Sequence, residues 1–87
     1  MVTFTVKVEA EGGLHARPAS MLVNKANAFD SKIRISKGEK TAEAKSILNI
    51  MTLGVKKGEE LKIEVDGADE QEAAEALKQL FASNFAI

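Results

Sequence analysis

The sequence predicts an α+β fold: a two-layer, open-faced sandwich whose four-stranded antiparallel sheet carries three helices on one face. Two observations lead there. Apolar residues recur at every second position in some segments and at helical spacing in others, and the segments follow in the order β-α-β-β-α-β-α. A strand with one apolar face needs a cover on that side only, and the helices carry matching stripes. Helices gathered on one face of the sheet satisfy both. No linker, low-complexity tract or internal repeat interrupts the 87 residues, so one domain over residues 1–87 is expected.

The elements follow in order. Val2, Phe4, Val6 and Val8 alternate with Thr3, Thr5 and Lys7, which is a strand with one buried face. Gly12-Gly13 breaks that strand and opens a loop. Ala19, Leu22, Val23 and Ala26 then predict a helix from about Ala16 to Asn27, with Phe29 closing its stripe. Ile33 and Ile35 mark a second strand, Lys37-Gly38 a hairpin turn, and residues from about Glu39 to Ala44 a polar strand at a sheet edge. Ser46 and Gly54 bracket Ile47–Leu53 as start and stop signals, predicting one or two turns of helix. Leu61, Ile63 and Val65 give the clearest strand. Asp69 and Glu72 read as a capping-box pair before a long helix carrying Ala73, Ala76, Leu77, Leu80 and Phe81.

Composition narrows the chemistry. Hydrophobic residues make up 45% and charged residues 29%, an ordinary globular mixture. There is no cysteine, which excludes disulfides, thiolate metal sites and thiol nucleophiles. With a single histidine besides, no protein-built metal site and no cofactor are expected. The formal net charge of −1 speaks against nucleic-acid binding, which shows as an excess of Lys and Arg. No apolar run approaches the roughly 20 residues that span a bilayer, and the amino terminus lacks the basic and apolar blocks of a signal peptide. A cytoplasmic chain without membrane insertion is expected.

The informative stretch is Gly13-Leu14-His15-Ala16-Arg17-Pro18-Ala19-Ser20. The only histidine sits where a glycine loop meets a helix start, and the only proline falls in that helix's first turn, where a missing N–H costs nothing. The first helical N–H groups lack intrahelical partners, and the macrodipole favours anions there. Arg17 adds a planar, permanent cation suited to phosphate oxygens, and His15 a nucleophilic imidazole. A lone histidine at a helix start is also often only a polar surface residue or a cap, and spacing alone does not decide between the two.

Gly13-Leu14-His15-Ala16-Arg17-Pro18-Ala19 resembles the active-site signature of the HPr family, the histidine-containing phosphocarriers of the bacterial sugar phosphotransferase system. Lys45-Ser46-Ile47 with Met51-Thr52-Leu53-Gly54 is similar to that family's regulatory-serine segment, and Asp66-Gly67-Ala68-Asp69-Glu70 to its last strand-to-helix turn. The likeness runs through essentially the whole chain. It implies that His15 accepts phosphate through Nδ1 from phosphorylated enzyme I and delivers it to IIA domains of sugar permeases, as a carrier rather than a stand-alone catalyst. Arg17 is then its electrostatic partner, and the Ala16 and Arg17 amides lie nearest the phosphoryl oxygens.

Ser46 reads as an N-cap from the sequence. The family implies a second role, phosphorylation by an ATP-dependent kinase/phosphorylase, and in some lineages assistance to a catabolite regulator of transcription. The two are compatible, because a phosphoserine suits a helix N-terminus. Ile47, Leu48 and Met51 crowd a helix too short to bury every side. They are either core, as Ile50 and Leu53 are expected to be, or an exposed docking patch. The expected partner surface is Ser20, Ile47, Leu48, Met51 and Thr52. Ser20 replaces a common threonine and Asn49 a common glycine, departures that bear on partner preference. Lys56-Lys57 and Glu59-Glu60 read as a solvated turn. Two other readings compete: a regulatory protein acting only through Ser46, whose known paralogues lack the histidine, and an unrelated small interaction module.

Overall fold

The four alternating segments pair into one antiparallel sheet in the computed structural model, which describes residues 1–85. Its strands are β1 (Val2–Lys7), β2 (Lys32–Lys37), β3 (Lys40–Glu43) and β4 (Glu60–Asp66), in the spatial order β1-β4-β2-β3. The register lines up one apolar row across all four: Phe4 opposite Ile63, Ile63 opposite Ile35, Ile35 opposite Ala42. Helices α1 (Ala16–Asn27), α2 (Ile47–Thr52) and α3 (Glu70–Ala82) complete the order β-α-β-β-α-β-α and bury that row. On the other face Thr3, Glu64, Arg34 and Glu43 form a row in which the arginine lies between carboxylates. An uncovered antiparallel face needs such polar alternation. The polar strand β3 lies at one edge of the sheet, as its composition predicts, and β1 at the other. Of the expected span 1–87, Ala86 and Ile87 lie outside the described residues.

Two local readings shift. The hairpin turn is Gly38-Glu39 rather than Lys37-Gly38, because Lys37 pairs with Lys40 in the ladder and Gly38 takes the left-handed φ of 60°. Along α3 the residue turned inward is Ala74, 2% exposed, while Ala76 is only half-buried.

The capping box at α3 does not form. Asp69 occupies the N-cap without a side-chain bond to its own helix. Its carboxylate instead accepts the Asp30 N–H at 2.9 Å, the Ser31 N–H at 2.9 Å and the Ser31 hydroxyl. Helix α3 is thereby pinned to the α1–β2 loop, and Glu70 reaches back to the Gly67 N–H at 3.2 Å. The Ser31 hydroxyl, followed by the Asp30 N–H, holds the Asp69 carboxyl below its ordinary value.

A carboxyl depressed in the folded state stabilises the fold above its unfolded value and loses that contribution as pH falls through the folded one. Asp69→Asn should therefore melt roughly 5 °C below the parent at neutral pH. The two melting temperatures should converge at acid pH, as it falls through the depressed folded-state value and the Asp69 carboxyl takes up its proton. Thermal melts across pH check this; a gap of constant size would remove Asp69 as the latch.

Candidate functional site

The loop between β1 and α1 is fixed from beneath. The Gly13 N–H donates to the Ala10 carbonyl (2.9 Å) and the Leu14 N–H to the Val55 carbonyl (3.1 Å), while the Leu14 side chain is buried. Gly12 and Gly13 both take left-handed φ, 79° and 69°. Gly13 lies so close to the strand lead-in that a Cβ there would fall 2.1 Å from the Val55 oxygen. These contacts deliver the chain to His15 at a set height above the sheet layer.

His15 is the N-cap of α1, with extended backbone (φ −78°, ψ −172°), and its carbonyl accepts the Ala19 N–H at 3.0 Å. Its ring does not cap the helix. It lies over Gly12, where a Cβ would meet Cδ2 at 3.0 Å and Nε2 at 3.6 Å. The Nδ1–Cε1 edge is the one farther from Gly12. The imidazole is exposed and unpaired among the described residues.

The first turn of α1 supplies the rest. The Ala16 and Arg17 N–H groups have no acceptor among the described residues, and Pro18 at the third helical position has no N–H to satisfy. The exposed Arg17 guanidinium makes no ion pair or hydrogen bond among the described residues. His15 and Arg17 line one open cleft of about 530 Å³ with Ala10, Pro18, Met21, Asn84 and Phe85. An exposed nucleophilic nitrogen, an unpaired cation and two unpaired amides can together receive a small anion and hold it.

Helix α2 packs beside α1 but contributes no residue to that cleft. Ser46 is its N-cap, half-buried, its Oγ accepting the Asn49 N–H at 3.3 Å and Asn49 Nδ2 at 3.1 Å. Ile50 and Leu53 are buried, whereas Ile47, Leu48 and Met51 are 43%, 72% and 42% exposed. They are large apolar side chains turned to solvent on one short helix. Thr52 is exposed with its hydroxyl donating to the Asn49 carbonyl, and Ser20 is exposed on α1.

Sequence reasoning missed Lys37. Its ammonium donates to the Leu53 and Gly54 carbonyls (3.2 and 2.9 Å) and pairs with Glu59 at 3.2 Å, holding the C-terminal end of α2. Nothing in the local pattern of β2 marks a residue whose partners lie 16 and more positions away. The cleft's other wall, at Asn84 and Phe85, was missed as well.

Among the described residues no group of His, Asp and Glu side chains is placed to hold a metal ion, and no helix is long and apolar enough to cross a membrane. Residues 2–83 match the PTS-HPr family, described as the PTS HPr component phosphorylation site. The phosphocarrier protein HPr of Mycoplasma capricolum is 43% identical over 79 residues, 91% of this chain and 89% of that protein. A crystal structure of HPr-C-His from Thermoanaerobacter tengcongensis superposes with a TM-score of 0.95 at 44% identity, covering 98% of this chain and 96% of that one. The crystal structure of Crh, the catabolite repression containing protein of Bacillus subtilis, gives 0.77 at 39% identity, both chains covered in full.

Proposed function

The chain belongs to the PTS HPr family of phosphocarriers, and from that premise we propose that His15 is its phosphoryl acceptor. One observation carries the reading: the only histidine is exposed at an N-cap, sharing a cleft with an arginine beside two helical N–H groups, all three without a partner among the described residues. In the proposed step the lone pair of Nδ1 attacks the phosphorus carried by enzyme I. The new N–P bond forms as the old bond breaks, and that bond's electron pair leaves with the enzyme I atom. Arg17 and the Ala16 and Arg17 N–H groups receive the phosphoryl oxygens as charge builds on them. The reverse geometry hands the group to a IIA domain. The chain is then a carrier, one cytoplasmic domain over residues 1–87, needing no cofactor or metal.

Incubation with phosphoenolpyruvate and enzyme I should leave one phosphate per chain, lost on acidification. No incorporation, or an acid-stable phosphate alone, would refute the carrier reading. Arg17→Ala should slow the transfer at least about tenfold, a barrier rise of about 1.4 kcal/mol, with little change in melting. Rapid-quench kinetics measures that, and an unchanged rate reduces Arg17 to a surface charge.

Ile47, Leu48 and Met51, with Ser20 and Thr52, form the proposed docking surface. Methionine suits a face that must fit more than one partner. Leu48→Glu or Met51→Glu should weaken binding to enzyme I and to IIA domains together, by roughly tenfold or more for a charge placed in an apolar contact. Chemical-shift titration reports it; shifts confined to the open sheet face would sink the idea. Ser46 is proposed as the acceptor for an ATP-dependent kinase/phosphorylase. Phosphate there adds about two negative charges beside the docking surface. That phosphorylated form would serve a catabolite regulator of transcription.

A further inference from the structure

The end of α3 closes the phosphoryl cleft with a polar side chain that no element of the site uses. After Ala82 the chain folds back in a Schellman turn, the Asn84 N–H donating to the Phe81 carbonyl (3.0 Å) and the Phe85 N–H to the Leu80 carbonyl (2.9 Å). Both residues take left-handed backbone, φ 57° at Asn84 and 60° at Phe85. Asparagine tolerates that region, but a bulky aromatic seldom enters it. Phe85 is held there by burial and by an edge-on contact with Phe81, ring centroids 5.0 Å apart at 70°. This turn sets the exposed Asn84 on the cleft of His15 and Arg17.

Three polar side chains line that cleft, and none is paired among the described residues: the imidazole, the guanidinium and the Asn84 carboxamide. The remaining lining is apolar. Glycine is the residue best suited to the left-handed position of a Schellman turn, so an asparagine there carries a side chain at some conformational cost.

We propose that Asn84 is a further phosphoryl-binding residue, its Nδ2 amide donating to an oxygen of the phosphoryl group on His15. The inference rests on His15 being the acceptor. A neutral donor acts only on the loaded state. It leaves the net charge around the free imidazole unchanged and has no oxygen to meet until the group arrives. Its contribution therefore appears in the balance between loaded and unloaded carrier.

The test is the equilibrium of phosphoryl exchange with enzyme I, measured on the whole chain. Asn84→Gly keeps and eases the left-handed turn while removing the amide, so its melting temperature should equal or exceed the parent's. Its exchange equilibrium should lie about fivefold further toward phospho-enzyme I, the loss of one ordinary hydrogen bond. Asn84→Asp, which also tolerates the turn, sets a carboxylate against the phosphoryl dianion and should shift the balance further. In the parent chain, the Asn84 side-chain amide signals should move on phosphorylation. If both variants exchange like the parent and those signals stay still, Asn84 is a helix cap only. If the parent takes up no acid-labile phosphate, the carrier reading falls and this inference with it.

Discussion

His15→Ala should abolish uptake of acid-labile phosphate from phosphoenolpyruvate and enzyme I, a rate loss of more than about a thousandfold. The melting temperature should move by no more than about 3 °C. The chemistry has nowhere else to go, since the chain has no second histidine and no cysteine. The fold has little to lose, because the ring is exposed and does not cap α1. The helix start is held by backbone: the His15 carbonyl to the Ala19 N–H, and Leu14 to Val55 just before it. Phosphate counting and circular-dichroism melting decide both halves. Retained uptake by the variant would remove His15 from the mechanism. A large fall in melting temperature would instead assign the residue to the architecture.

The second large effect lies two residues upstream. Gly13→Ala should lower stability by about 2–4 kcal/mol, roughly 10–20 °C in melting temperature for a chain of this size. Its φ of 69° opposes a side chain, and the added Cβ would meet backbone rather than flexible atoms: the Val55 oxygen at 2.1 Å and the Lys56 Cα at 2.7 Å. Gly38 provides the control. It has a similar φ of 60° with nothing within 4 Å of its Cβ position, so Gly38→Ala should cost only about 1 kcal/mol. Equal losses at the two glycines in denaturant titrations would show that conformational strain, and not the close approach, sets the cost.

What could be read from the sequence follows the range of the interaction. Strands β1 and β4 declare themselves by alternation, and α2 by the serine before it and the glycine after it. The start of α1 was legible because His15, Arg17 and Pro18 are neighbours in the chain and act through one helix end. Asp69 was misread because its carboxylate has two candidate uses, a local cap and a loop 38 and 39 residues earlier, and three donors in that loop outcompete the helix. Lys37, and the close approach of Gly13 to Val55, were opaque for the same reason: the partners lie far along the chain, and no nearby spacing encodes them. The Asn84 wall was hidden because a helix end that folds back onto a distant loop leaves no periodic trace.

The order of the strands also sets when the carrier comes into being. Residues 2–7 form the first strand made, yet their only sheet partner among the described residues is β4, at residues 60–66. The loop beneath His15 waits in turn for Val55. During synthesis at roughly 5–20 residues per second, the nascent chain therefore carries the written His15 segment for several seconds with nothing to set its shape. Contacts this distant in sequence slow folding, because the ends of a long loop must meet before any pairing rewards them. If His15 is the acceptor as proposed, a half-made chain presents a histidine but no receiving geometry, and is expected to take no phosphoryl group from the donor pool before its last strand is in place.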